Sequence, residues 1–545
     1  VFEFAPIRQR RYWPALALVA IGACLRVWLW ARGQALWLDE QMIAMNLRDR
    51  TLATLAGRLD HEQSAPLGWM AIERIVLVVV GEGEMGLRVQ PLLWGLATLA
   101  VAWLIGRRWL GTLGLTVFVA LFALSPTLVA YSAQVKHYSA DVFWAALLLL
   151  LAGLVAEQPA DRRRVAAFWL AAVVGIWFSM GAFLALPALA AVLLVQAWIR
   201  GRLRVSWPHL AGGALFLAVM AANYLLVLRH ATGNQYLNKF WSGVGYPPED
   251  GGPLALAKWF PLTVGRLSES PFALVDLHAG GAGRLLFGVA ALFWLLAVVG
   301  LVAVARRRPE LGLLLLASLA SSVVLAMLQV VPLAARLAMW TMPVVFAAVA
   351  VGVEVAAKAL KRGAGLVRAK RVAPGAAVLA MSLVGLSFLP ALTPQLVRSS
   401  VLAFGEPELN DREAIAWMIN RHRQGDVVVY VSSAGRAASW YDREGRLSPA
   451  RSVITVPATS DCRPEALWEA VRSFDRVIVY SGVQYVPYLE TPEMLKKMLI
   501  DIGGQVIESK DFGTVGTAYV VELYHGPALL SVSMEQSSPL CLVVA

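Results

Sequence analysis

The stretch "WPALALVAIGACLRVWLWARGQALWLDEQMIAMNLRDR" (residues 13–50) decides the fold. Residues 13–31 form an apolar run of the roughly 17–25 residues needed to cross a hydrocarbon core. Directly after it the chain sets Asp39 and Glu40 side by side. A carboxylate pair at that point is either a water-facing helix cap or the working end of a site built at a membrane surface.

The rest of the chain repeats the first half of this pattern. Of its 545 residues 58% are hydrophobic and only 15% charged, with a mean hydropathy of +0.63; soluble domains have nearly half apolar and about a quarter charged residues. The chain reads as a polytopic α-helical membrane protein of about eleven spans. They lie near 13–31, 88–106, 112–129, 139–156, 165–181, 183–199, 210–228, 285–305, 311–330, 336–357 and 374–393. The first run has a basic leader but no clear small-residue exit, so it reads as an uncleaved anchor.

Arginine and lysine set the expected orientation. "RQRR" (8–11), "RR" (107–108), "RRR" (162–164), "RGRLR" (200–204), "RRR" (306–308) and "KRGAGLVRAKR" (361–371) fall on one side of this arrangement, which the positive-inside rule makes cytoplasmic. They account for the net charge of +12, so a nucleic-acid partner is not called for. The loops 32–87 and 229–284, the turn 130–138, the entrance near 331–336 and everything after about 394 face the other, extracytoplasmic side. Residues 39–56 and 65–81 suit helices lying in the interface.

Two domains are expected: a transmembrane catalytic domain over 1–395 and an extracytoplasmic α/β domain over 396–545. From about 406 the tail alternates helix and β-branched strand, with a Gly-Asp turn before the first strand. Cys24, Cys462 and Cys541 form no metal pattern; a Cys462–Cys541 disulfide is conceivable on an oxidising face.

Polar groups gather on the outer loops. The first loop offers Asp39, Glu40, Asp60, His61, Glu62 and Gln63; "YSAQVKHYSADVF" (131–143) offers Lys136, His137, Tyr138 and Asp141; "NQYLNKFWSGVGYPPED" (234–250) offers Trp241; "PLAARLAMW" (332–340) offers Arg336. Ionisable groups beside apolar spans are costly and mark function more often than scattered charges do. Carboxylates beside cations next to a bilayer fit a lipid-linked phosphate substrate: the acid deprotonates an attacking hydroxyl, and the cations bind the phosphate as it leaves. Trp37, Trp69, Trp241 and Tyr138 supply faces for sugar rings and isoprenoid chains.

"WLDEQMIAMNL" (37–47), "LDHEQSAPLGWMAIER" (59–74) with "GEGEMGLRVQPLLWG" (81–95), and "ALSPTLVAYSAQVKHYSADVF" (123–143) resemble bacterial glycosyltransferase family 39 of the GT-C superfamily. That group is related to protein O-mannosyltransferases and the lipid A aminoarabinose transferase. "FWSGVGYPP" (240–248) and "ARLAMWTMPVVF" (335–346) resemble it more loosely. The resemblance implies a polyprenyl-phosphate sugar donor, an extracytoplasmic site and inversion at the anomeric carbon; separately, a lipid, glycan or protein acceptor is expected, and no cofactor is indicated by the residues. It puts the first-loop acid on Asp39 with Glu40 beside it, the basic residue of the third motif on Lys136, its tyrosine on Tyr138 and its following acid on Asp141. The lysine that the lipid A enzymes carry before the first-loop proline is absent, since Gln63 and Ser64 precede Ala65 and Pro66, so the acceptor is not inherited from that relative.

Each residue also has a plainer reading. Asp39 suits a helix N-terminus, and Glu40 is a solvated neighbour or a second acid that raises the pKa of Asp39. His61 is a loop hydrogen-bonding residue or a substrate contact. Lys136 and Arg336 read as snorkelling anchors or phosphate ligands, and Tyr138 as an interfacial belt residue. Asp141, five residues from Lys136, reads as a local ion pair or polar contact that stabilises the loop. A divalent metal on His61, Glu62, His137 and Asp141 has suitable ligand types but no enforcing spacing. The competing function is a transporter or flippase of lipid-linked or small polar substrates. The chain lacks a second copy of the "LDE" loop, against the paired repeats common in transporters.

Overall fold

The computed structural model describes residues 12–199, 207–232, 241, 245–248, 252–275 and 283–366, and in the tail 410–447, 453–456, 471–482, 496–497, 499–501, 503–512, 516–524 and 543–544. The chain divides into two compact units, Val1–Arg32 with Leu47–Phe404 and Gly33–Asn46 with Gly405–Ala545. The second unit thus takes a segment of the first loop, beyond a simple boundary near residue 396.

The first unit is helical. Among the described residues eight helices are long and apolar enough to cross a membrane: Trp13–Ala31, Glu84–Trp109, Tyr138–Glu157, Met180–Ile199, Trp207–Leu228, Gly288–Arg307, Pro309–Met327 and Ala335–Leu360. Of the other expected spans, 112–129 is broken. Ser125 caps a new helix, Pro126–Tyr131, by accepting from the Leu128 N–H at 3.4 Å, so Thr112–Leu124 ends after 13 residues. Span 165–181 is the 14-residue helix Arg162–Gly175, capped by Asp161. Span 374–393, Cys462 and Cys541 lie outside the described residues. Of the two stretches expected as interfacial helices, 39–56 is helical only as far as Asp49, in Leu38–Asp49, with the 3-10 helix Thr54–Ala56 after a turn, and 65–81 forms the helix Leu67–Val80.

Close packing holds the helices together. A Cβ on Gly300 would lie 1.8 Å from the Ala348 carbonyl oxygen, and one on Gly352 2.0 Å from that of Leu296. Only glycine allows Gly283–Arg307 and Met342–Leu366 to approach this closely, as expected where small residues let membrane helices meet. Phe122 and Phe346 pack edge to face at 5.2 Å nearby. Arg26, fully buried in the first span, donates to the carbonyls of Gly22, Ala123 and Phe122 at 2.9, 3.2 and 2.8 Å. It satisfies acceptors left open where Thr112–Leu124 ends. Tyr138–Glu157 is buried along most of its length, so its first turn opens inside the unit.

The second unit is α/β. Its strands are β1 (Val427–Val431), β2 (Val453–Val456), β3 (Arg476–Tyr480), β4 (Gly504–Asp511), β5 (Thr517–Leu523) and β6 (Val543–Val544). They lie in the order β4-β5-β3-β1-β2-β6, with β2, β1 and β3 parallel and the outer pairings antiparallel. Helices Asp411–Ile419 and Ser432–Tyr441 flank β1 in sequence. Gly425, at φ 98°, makes the expected turn into β1, and the Asp426 carboxylate beside it receives Arg476 at 2.7 Å in a buried ion pair.

Candidate active site

In the first unit the site grows from the turn between Tyr131 and Tyr138. The turn is tied back on itself: the Ser139 hydroxyl donates to the Tyr131 carbonyl at 2.7 Å, and the Lys136 N–H to the Gln134 carbonyl at 2.7 Å. Its side chains point inward. Lys136 is 7% exposed, and its ammonium donates to the amide oxygen of Gln63 at 2.7 Å, joining the turn to the first loop.

The loop that delivers Gln63 is unusual. His61 and Glu62 have φ of 58° and 55°, two consecutive non-glycine residues in the left-handed region, a conformation that costs of order 1–3 kcal/mol per residue and persists where surroundings impose it. Arg50 and Arg58 hold this loop through Asp60 at 2.9 Å and Glu62 at 2.7 Å. His61 itself is exposed.

His137 is buried, and its ring lies 4.6 Å from that of Tyr138 and 6.3 Å from that of Trp69. Burial first, then the positive charges of Lys136 and Arg336, push its pKa down to about 3. The imidazole is therefore neutral, and its 3.7 Å separation from Asp141 is a polar approach rather than an ion pair. The Asp141 carboxylate accepts from the Ser179 hydroxyl at 2.7 Å and from the Gly181 N–H at 2.9 Å. It fastens the start of Tyr138–Glu157 to the start of Met180–Ile199, which supports the plainer reading of this residue.

Arg336 enters from a different element, the 3-10 helix Ala335–Thr341, with its guanidinium 5.8 Å from the centre of the Tyr138 ring. Trp241 reaches the same entrance by its backbone: its carbonyl accepts from the Gly245 N–H at 3.1 Å, and the Gly245 carbonyl accepts from Leu333 at 3.0 Å. Gln63, Lys136, His137, Tyr138 and Arg336 thus converge, with Asp141 beneath them, whereas His61 stays at the surface. Among the described residues no group of three or more His, Cys, Asp or Glu side chains is placed to hold a metal ion, so His61, Glu62, His137 and Asp141 do not assemble.

Sequence reading passed over Gln134 and Glu73. Both amide atoms of Gln134, Nδ1 of His137 and Nε1 of Trp69 are buried with no hydrogen-bond partner among the described residues. Buried polar groups are nearly always bonded, so these atoms mark capacity for a polar ligand. Glu73, fully buried on Leu67–Val80, has one carboxylate oxygen in the same condition. Glu73 stands with Arg74 in the middle of an apolar run, the pattern that suits 65–81 to an interfacial helix, whereas Gln134 lies in no local pattern that distinguishes it.

The acidic pair belongs to the second unit. Asp39 and Glu40 open the helix Leu38–Asp49. Glu40 is 1% exposed, and its carboxylate turns back to accept from the Trp37 N–H at 3.2 Å, the capping contact of a glutamate at the third helical position. Asp39 is half-buried.

Comparison with known proteins agrees with this architecture. Residues 64–225, which include Lys136, His137, Tyr138 and Asp141, match the family model of dolichyl-phosphate-mannose-protein mannosyltransferases. Among solved structures the chain is similar to ArnT from Cupriavidus metallidurans bound to undecaprenyl phosphate, with a TM-score of 0.52 and 14% identity over 93% of this chain and 97% of that one. It is also similar to the archaeal oligosaccharyltransferase AglB from Archaeoglobus fulgidus in complex with an inhibitory peptide and a dolichol-phosphate, with a TM-score of 0.50 and 13% identity over 94% of this chain and 74% of that one. No curated protein matches the sequence significantly. The fold is that of the GT-C membrane enzymes. The family match covers residues 64–225, and at 13–14% identity the two structures show a shared fold.

Proposed function

We propose that the protein transfers a sugar from a polyprenyl-phosphate donor to a lipid, glycan or protein acceptor, with inversion, on the extracytoplasmic face of a bacterial cytoplasmic membrane. The observation that carries this reading is the approach of two cations from separate elements, Lys136 and Arg336, to His137 and Tyr138. Undecaprenyl phosphate and dolichol-phosphate in the two similar structures support a lipid-phosphate donor.

In this reaction Asp39 takes the proton of the acceptor hydroxyl. The oxygen attacks the anomeric carbon from the face opposite the phosphate, the anomeric C–O bond breaks, and its electron pair leaves on the phosphate oxygen. Lys136 and Arg336 stabilise the charge that develops there, Arg336 with two parallel donors. Glu40 is committed to its own helix start, which leaves the base role to Asp39. Gln134 and the neutral His137 offer hydrogen bonds to sugar hydroxyls, and Tyr138, Trp69 and Trp241 offer ring faces. Gln63 orients the Lys136 ammonium. The arginine-rich loops supply the orientation.

The test is incubation of purified protein with a panel of radiolabelled polyprenyl-phosphate sugars, following release of the lipid phosphate. Consumption of at least one donor is expected. Movement of a lipid across the bilayer without consumption of any donor would contradict the reading.

A further inference from the structure

The second unit holds the acidic segment by a set of buried hydrogen bonds. The Gln41 amide donates to the Leu36 carbonyl at 2.7 Å and to one oxygen of the Asp411 carboxylate at 2.7 Å. The Tyr480 hydroxyl donates to the other Asp411 oxygen. The Leu36 N–H donates to the Tyr441 hydroxyl at 2.7 Å, and Arg412 donates to the Gly33 carbonyl at 3.3 Å. Leu36, Gln41 and Tyr480 are fully buried. Asp39 lies between the fixed residues 36 and 41, so both flanks of its backbone are held by the tail.

The location of these contacts is informative. Tyr480 is the last residue of β3 at the carboxyl edge of the parallel strands, and Asp411 opens the helix that precedes β1. Open α/β sheets bind their ligands at that edge; here it receives the chain's own residues 36–41. The helix Leu38–Asp49 has 12 residues, and a helix of about that length is marginal alone in water, so its conformation depends on what it docks against. A base misplaced by about 1 Å loses on the order of 100-fold in rate.

We propose that the tail domain is the positioning element of the acidic segment, with Asp411 and Tyr480 acting on Asp39 through Gln41. This rests on the assignment of Asp39 as the base. Neither the family match nor the similar structures assigns these residues a role.

The experiment uses the full chain in detergent or nanodiscs and reads two quantities. In Asp411→Ala, amide hydrogen exchange over residues 36–41 is expected to speed up by roughly tenfold or more, while β1 and β3 keep their protection. In the same variant kcat for donor consumption is expected to fall on the order of 10- to 100-fold with the donor KM unchanged. Gln41→Ala with Asp411→Ala should be no worse than either alone, and Asp411→Asn, which can accept from Gln41 and donate to Tyr480, should restore turnover. If Asp411→Ala unfolds the sheet, Tyr480→Phe carries the same two readouts. Unchanged exchange over 36–41, or fast exchange with wild-type kcat, would overturn the positioning role while donor consumption stands. Wild-type turnover in Asp39→Asn would instead defeat the assignment of the base and this proposal with it.

Discussion

The Lys136 ammonium and the Gln63 amide oxygen stand 2.7 Å apart, joining the turn before a central span to the first loop across 73 residues of sequence. An amide oxygen directs an ammonium without neutralising it. Lys136→Ala is therefore expected to weaken donor binding by roughly 10- to 100-fold, the range of one hydrogen bond to a charged group. Gln63→Ala should have a smaller effect in the same direction, because the charge remains. Donor affinities measured on both variants check this, and an unchanged affinity in Lys136→Ala would move the phosphate contact elsewhere.

Asp141 behaves differently. Its carboxylate is occupied by Ser179 and the Gly181 N–H, and removing it leaves two buried donors unpaired at about 1–3 kcal/mol each. Asp141→Ala should lower the thermal midpoint markedly. Asp141→Asn keeps an acceptor oxygen and should stay near wild type in both stability and turnover. A catalytic carboxylate would show the reverse, with a stable but inactive asparagine variant.

Asp411 gives the tail a pH dependence of definite sign. Burial raises its pKa from 3.8 to about 6, against the opposing pull of its bonds from Tyr480 and Gln41. Between these values the folded unit holds a proton that the unfolded chain has released. This group's contribution to stability is therefore greatest below about pH 4, falls as pH rises to about 6, and is level above that. Hydrogen exchange of β1 and β3 between pH 4 and 7, compared with Asp411→Asn, should show the slope in wild type and its loss in the variant.

Much of this architecture was legible in the sequence, because lipid demands long uninterrupted apolar helices and a strand–helix tail has strong local periodicity. Lys136, Tyr138 and Arg336 stood out as charged or aromatic groups at span entrances. The break after Leu124 was also written there, in the Ser125-Pro126 pair that favours a helix start, but an apolar run on both sides masks it. The Gln41–Asp411 bond was not legible, since its partners lie 370 residues apart and neither has a distinguishing neighbour. Gln134 escaped notice for a related reason: a polar residue in a polar turn shows its lack of partners only when the chain is folded around it.

Orientation rests on charge bias, and it can be read directly. In a variant without Cys24, Cys462 and Cys541, a cysteine at the exposed Asp60 should be labelled by an impermeant thiol reagent in intact cells, and one at the exposed Arg163 should not. The opposite pattern would place the first loop in the cytoplasm.

The measurement that tests the central claim most directly is turnover and donor binding in Asp39→Asn. The amide keeps the size of the side chain but cannot take a proton, so donor affinity should be close to wild type while turnover falls on the order of 10²–10⁴-fold, the usual contribution of one general base. Turnover at the wild-type rate in this variant, with the donor bound and consumed, would contradict the account.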